Sequence, residues 1–125
     1  MVWRAAVICT VLAAGCSVGA AAERSPDGVW MRDDGNARVR IAPCGSKLCA
    51  TNLWIKDTSK GEEVGDRLVM SLGRKSDTEL DGTAYDPKRD KTYAITVIVG
   101  SNSLTMRGCI LGGLLCKDVN WTPVK

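Results

Sequence analysis

From residue 28 onward the chain is punctuated by turn signals, and between the turns apolar and polar residues alternate. Eight runs have this form: 28–31, 37–43, 48–56, 67–72, 78–85, 91–99, 103–109 and 119–124. A period of two places successive side chains on opposite faces of a half-buried strand. The clearest run is 91–99, where Tyr93, Ile95, Val97 and Val99 share one face while Thr92, Ala94 and Thr96 share the other. Val39 and Ile41 alternate with Arg38 and Arg40, and Leu80, Gly82 and Ala84 alternate with Glu79, Asp81 and Thr83. Clusters such as Asp33-Asp34-Gly35-Asn36 and Asp86-Pro87-Lys88-Arg89-Asp90 supply turn chemistry between them. Short strands with frequent turns describe an all-β sandwich or barrel. Hairpin-length connections favour an antiparallel meander, and closing it removes exposed strand edges. The expected fold is therefore all-β, a small antiparallel up-and-down β-barrel of about eight short strands. With strands this short, side chains are expected to fill the interior.

The first residues read differently. Arg4 is the only charge before Glu23, and the stretch between them is apolar and small. A positive start, a short apolar stretch and a small-residue end describe a secretory signal peptide, with cleavage expected after Ala22 in Ala20-Ala21-Ala22. The most apolar part, residues 5–14, falls short of the roughly 20 residues that span a bilayer. Leu12-Ala13-Ala14-Gly15-Cys16 offers a second route, because it resembles a bacterial lipobox that would lipidate Cys16. Both routes export the chain to the periplasm or beyond; only lipidation at Cys16 would tether it to a membrane. Residues 1–22 are thus assigned to the signal and 23–125 to a single domain.

Of the six cysteines in the sequence, Cys44, Cys49, Cys109 and Cys116 lie beyond the signal. An even count in an exported chain reads as disulfides, and four cysteines allow three pairings. The local pairs Cys44–Cys49 and Cys109–Cys116 are favoured because each closes a tight loop containing glycine. Each closure contributes about 2 kcal/mol on the chain-entropy view. The spacings do not suit a zinc knuckle or a redox-active C-x-x-C.

Charge and composition remove several function classes. The chain has no histidine, so Ser-His-Asp and Cys-His catalysis and histidine metal sites are excluded. Seventeen basic against 14 acidic residues give a net charge of +3, too mild and too dispersed for a nucleic-acid binder. No phosphate-binding, dinucleotide or nucleophile-elbow motif is present. The remaining acid/base candidates are carboxylates in turns and loops: Asp33-Asp34, Glu62-Glu63 and Asp86. Such groups usually face water and fix the turn. No catalytic residue, metal or cofactor is assigned.

Several motifs occur in a telling order. Gly28-x-Trp30 is followed by Val39-Arg40-Ile41-Ala42-Pro43-Cys44-Gly45-x-x-Leu48-Cys49 and Leu53-Trp54-Ile55-Lys56. Tyr85-Asp86-Pro87, Lys91-Thr92-Tyr93, Arg107-Gly108 and Trp121-Thr122 complete the series. Together they resemble the bacterial family called domain of unknown function 2147, over nearly all of the chain beyond the signal. The resemblance implies a small exported barrel, similar to lipocalin-like barrels, and it supplies no reaction. The chain departs from the family pattern in two places. A longer Pro- and Asn-rich segment is cut to residues 57–66, and Cys109 and Cys116 add a second staple. The Gly28-x-Trp30 motif is similar to the lipocalin G-x-W, which implies that Trp30 plugs one end of the barrel with Arg107 packed over it.

Trp54, Tyr85, Tyr93 and Trp121 are the aromatic residues that would line a pocket if the interior were open. The expected function is non-enzymatic: holding a small apolar ligand or an envelope component. The alternative is a structural or protein-interacting envelope module with a filled core. An open-mouthed cavity near residues 57–66 would favour the first, and a contiguous exposed apolar patch the second.

Overall fold

A computed structural model describes residues 22–125, so the signal assignment and Cys16 lie outside or at the border of the described residues. Eight strands follow in chain order: β1 Gly28–Arg32, β2 Ala37–Cys44, β3 Lys47–Ile55, β4 Arg67–Arg74, β5 Glu79–Asp86, β6 Lys91–Val99, β7 Leu104–Ile110 and β8 Leu115–Pro123. Each pairs antiparallel with the next, and β8 returns to β1, giving a closed up-and-down barrel. A 3-10 turn, Leu111–Gly113, caps the β7–β8 hairpin.

Period two holds along most of the wall. Val39, Ile41, Met70, Leu80, Ala84, Ile95, Val97, Val99, Leu104 and Met106 all point inward and are buried. The alternation fails in β3. Arg38 pairs with Trp54, but Val39 pairs with Asn52, so Leu53 is an extra residue without a partner. Such a bulge shifts the parity of everything beyond it. Ile55 consequently turns inward and is buried, while Trp54 is 38% exposed on the outside, with the Arg38 guanidinium 5.1 Å from its ring centroid.

The two ends of the barrel are built differently. At one end, residues 22–27 run across the opening. The Arg24 N–H donates to the Asp77 carbonyl at 2.8 Å, and Arg74 Nη2 donates to the Arg24 carbonyl at 2.8 Å. Trp30 fills the space above this strap, its Nε1–H donating to the Pro26 carbonyl at 2.9 Å. Trp30 therefore sits at the closed end. Arg107 does not join it: Arg107 faces outward from β7 and pairs with Asp118 on β8 at 2.7 Å. Parity is the reason, because Met106 takes the inward place beside it. The implied Trp30–Arg107 pair is thus replaced by a backbone strap.

Both local disulfides are formed. Cys44–Cys49 staples the β2–β3 turn, and Cys109–Cys116 joins two residues directly opposite in the β7–β8 ladder, with Cα atoms 4.1 Å apart. That second pair explains why β8 begins at Leu115, earlier than the alternation from residue 119 implies: the hairpin stays in register up to its tip. β1 is short and meets β8 only from Trp30↔Pro123 to Arg32↔Trp121, so the hairpin extends beyond β1.

At Gly82, β5 comes close to the backbone of β4. A Cβ there would lie 1.9 Å from the Ser71 carbonyl oxygen of β4, whereas one at Gly73, in the same strand pair, would meet nothing within 4 Å. Gly82→Ala is expected to lower stability by about 1–3 kcal/mol, in the range of core overpacking. Gly73→Ala is expected to stay within about 0.5 kcal/mol, as a surface change does. Chemical denaturation of the two variants would check this contrast.

Candidate functional site

The inward-facing apolar residues do not fill the barrel. They enclose a cavity of about 400 Å³, within the roughly 300–1,000 Å³ typical of small-molecule sites. This corrects the expectation of a filled interior. Many inward positions are small or of modest bulk: Val39, Ala50, Ala84, Gly108 and Val119 line the wall, with Ile41, Ile95 and Met106 among them. With Phe absent from the chain, no large apolar ring is available beyond Trp30, Trp121 and Tyr93 to occupy the space.

The cavity opens at the end opposite the strap, where the β1–β2, β3–β4 and β5–β6 connections meet. Arg32 ends β1 on the inward parity of Trp30 and reaches into the β3–β4 loop. Its Nη1 and Nη2 grip Glu62 Oε2 and Oε1 at 2.7 and 2.8 Å, and its Nε reaches Asp34 at 3.0 Å. The same guanidinium lies 6.0 Å from the centroid of the Trp121 ring, near the outer limit of a cation–π contact. Asn36 ties the same two connections together: the Lys56 N–H donates to its carbonyl at 2.9 Å, and the Asp57 N–H to its Oδ1 at 2.9 Å.

A second cluster binds the β5–β6 turn to the same loop. Asp86 is buried on the inward face of β5. It accepts from Arg89 Nη1 at 3.0 Å and from the backbone N–H groups of Lys88 and Arg89. Arg89 Nη2 and Lys88 Nζ both donate to the Gly61 carbonyl at 3.1 Å. Lys88 also pairs with Glu63 and Asp66. Residues 57–66 are therefore anchored from both sides and form the rim of the opening.

The four aromatic candidates divide evenly. Tyr93 and Trp121 line the cavity, together with Trp30. Trp54 is carried outside by the β3 bulge. Tyr85 also faces out, opposite in parity to Ala84, and its hydroxyl donates to Asp90 at 2.8 Å. Trp121 Nε1 is buried and, among the described residues, has no hydrogen-bond acceptor, which costs about 1–3 kcal/mol. Sequence reasoning gave no site role to Arg32, Gly108 or Lys117. All three are signalled by simple parity: Arg32 is two residues from Trp30, Gly108 is two from Met106, and Lys117 is two from Val119 and four from Trp121.

Two rim carboxylates, Glu62 and Asp34, are held in their charged form. Arg32 keeps both Glu62 and Asp34 below the usual carboxylate range, chiefly through its hydrogen bonds. A general acid working near neutrality needs the opposite shift. Among the described residues, no group of three or more His, Cys, Asp or Glu side chains is placed to hold a metal ion.

Folded values below the unfolded ones stabilise the protein above the ordinary carboxylate range, and this gain disappears as pH falls through the folded values. Glu62→Gln is therefore expected to lower stability by about 1 kcal/mol or less at neutral pH, since the pair is partly solvated. The gap between variant and wild type should close below about pH 4. Thermal unfolding across an acid pH series would check it.

No curated protein and no solved structure matches the chain. Residues 28–123, from the first residue of β1 to the last of β8, match the model of a family described as an uncharacterized protein conserved in bacteria (DUF2147), and the chain belongs to that family.

Proposed function

We propose that the protein is an exported, non-enzymatic barrel that holds a small, largely apolar molecule in its interior. The observation that carries this reading is the cavity of about 400 Å³, apolar along its walls and open at the rim built by residues 57–66. Burial of apolar surface in such a space stabilises a complex by roughly 25 cal/mol per Å² removed from water. Export is supported by the signal-like residues 1–22 and by two disulfides, which persist in oxidising compartments. The charged, cation-paired state of Glu62 and Asp34 supports binding over acid–base catalysis. A second reading, docking to another envelope protein, draws on the tip of the β7–β8 hairpin. There Leu111 and Leu114 are 65% and 82% exposed, next to Ile110 and Leu115.

Gly108 offers a direct test. It faces the cavity from β7, and a Cβ there would meet nothing within 4 Å. Gly108→Leu should occupy the cavity while leaving the fold intact. A neutral naphthylamine dye is expected to brighten on binding wild type, and the variant to bind it about tenfold more weakly or worse, with no loss in melting temperature. Equal dye binding by both proteins would refute an interior site. Mass spectrometry of the protein expressed with export checks the processing: a chain starting at Glu23 and lighter by four hydrogens is expected, whereas a lipid on Cys16 would show tethering.

A further inference from the structure

We infer that the occupant is a single-chain amphiphile with an acidic head group, and that Lys117 anchors this group at the mouth while the chain lies in the cavity. The inference rests on the ligand-binding reading above and adds the ligand's chemical class.

Three charged side chains that line the cavity stand on inward-facing strand positions: Arg32 on β1, Asp86 on β5 and Lys117 on β8. A charge at the mouth of an apolar space is either paired by the protein or solvated. Arg32 has Glu62 and Asp34, and Asp86 has Arg89. Lys117, exposed to solvent at the mouth, has no ion-pair partner and no side-chain hydrogen bond among the described residues. The other cavity-lining carboxylates cannot serve it, since Glu62 is gripped by Arg32 and Asp66 by Lys88. The site therefore carries, on an inward position, a cation that the barrel leaves to solvent; Arg67, the other lining cation without an ion pair among the described residues, stands on the outward parity of β4.

The surroundings of Lys117 give the occupant its shape. Its cross-strand neighbour is Gly108, which leaves the inward side of this pair open. One step deeper on the same face stand Met106 and Val119, a cross-strand pair, and beyond them Leu104 and Trp121. One step outward stands the pair Ile110↔Leu115. The charge is thus a single station on an otherwise apolar track that leads into the cavity. A free phosphate or carboxylate would use the station and waste the track. A plain hydrocarbon would use the track and leave the station to water. An acid on one apolar chain uses both, and a charge-assisted hydrogen bond from Nζ is the stronger kind.

The test is titration of the full exported domain with dodecanoate, dodecyl phosphate and dodecanol, read by displacement of the neutral dye. Both acids are expected to bind about tenfold more tightly than the alcohol. Lys117→Gln should erase that advantage while leaving dodecanol unchanged, and Lys117→Arg should restore it. Arg40→Gln, which removes a charge from the outer wall of β2, should change nothing. Whichever acid binds more tightly names the head group. If the alcohol binds as well as the acids, or if Lys117→Gln weakens all three equally, the inference falls and the apolar site stands. If none of the three displaces the dye, both fall.

Discussion

The barrel depends on a narrow seam. β1 joins β8 over a short register, from Trp30↔Pro123 to Arg32↔Trp121. Two flanking bonds extend it, from the Val124 N–H to the Val29 carbonyl and from the Asp33 N–H to the Asn120 carbonyl, each at 2.9 Å. Without this closure the inward residues would face water on an open sheet, and β1 and β8 would present unpaired edges. Both residues that matter at the two ends lie on it. Trp30 points from the seam toward the strap, and Arg32 points from it toward the rim. The same few residues thus close the wall, stopper one end and organise the other.

The two ends then differ in what mainly holds them. The closed end is held mainly by bonds to backbone carbonyls, which the Trp30 indole, the Arg24 backbone N–H and the Arg74 guanidinium donate, with one ion pair beside them, Arg74 to Glu23. The open end is held by guanidinium, ammonium and carboxylate groups that are partly solvated. Such contacts are individually weak, but here they link three connections into one ring. That ring keeps the mouth from collapsing onto an interior that its own side chains do not fill.

Most of this architecture was legible in the chain. Eight alternating runs translate into eight strands, and the hairpin-length gaps into an up-and-down order. The local disulfides followed from spacing. The misreadings share one cause, which is that parity is lost or gained at single residues. The bulge at Leu53 cannot be seen in Leu53-Trp54-Ile55, because all three residues are apolar and either register would bury something. Beginning the last run at residue 119 hid Lys117, although it shares the parity of Val119 and Trp121. The pairing of Arg107 with Trp30 came by analogy, while the alternation of Leu104 and Met106 already placed Arg107 outside. The cavity itself was not legible. Interior volume depends on how far the wall stands from its axis, and strand patterns do not carry that distance.

The strap has a consequence for orientation. Residues 22–27 and the last residues of β8 lie at the same, stoppered end, as the bond from Val124 to Val29 shows. Anything that holds the chain by what precedes residue 22 holds it by its base. The rim, the Lys117 station and the apolar hairpin tip then all point away from the holder, like the bowl of a spoon from its handle.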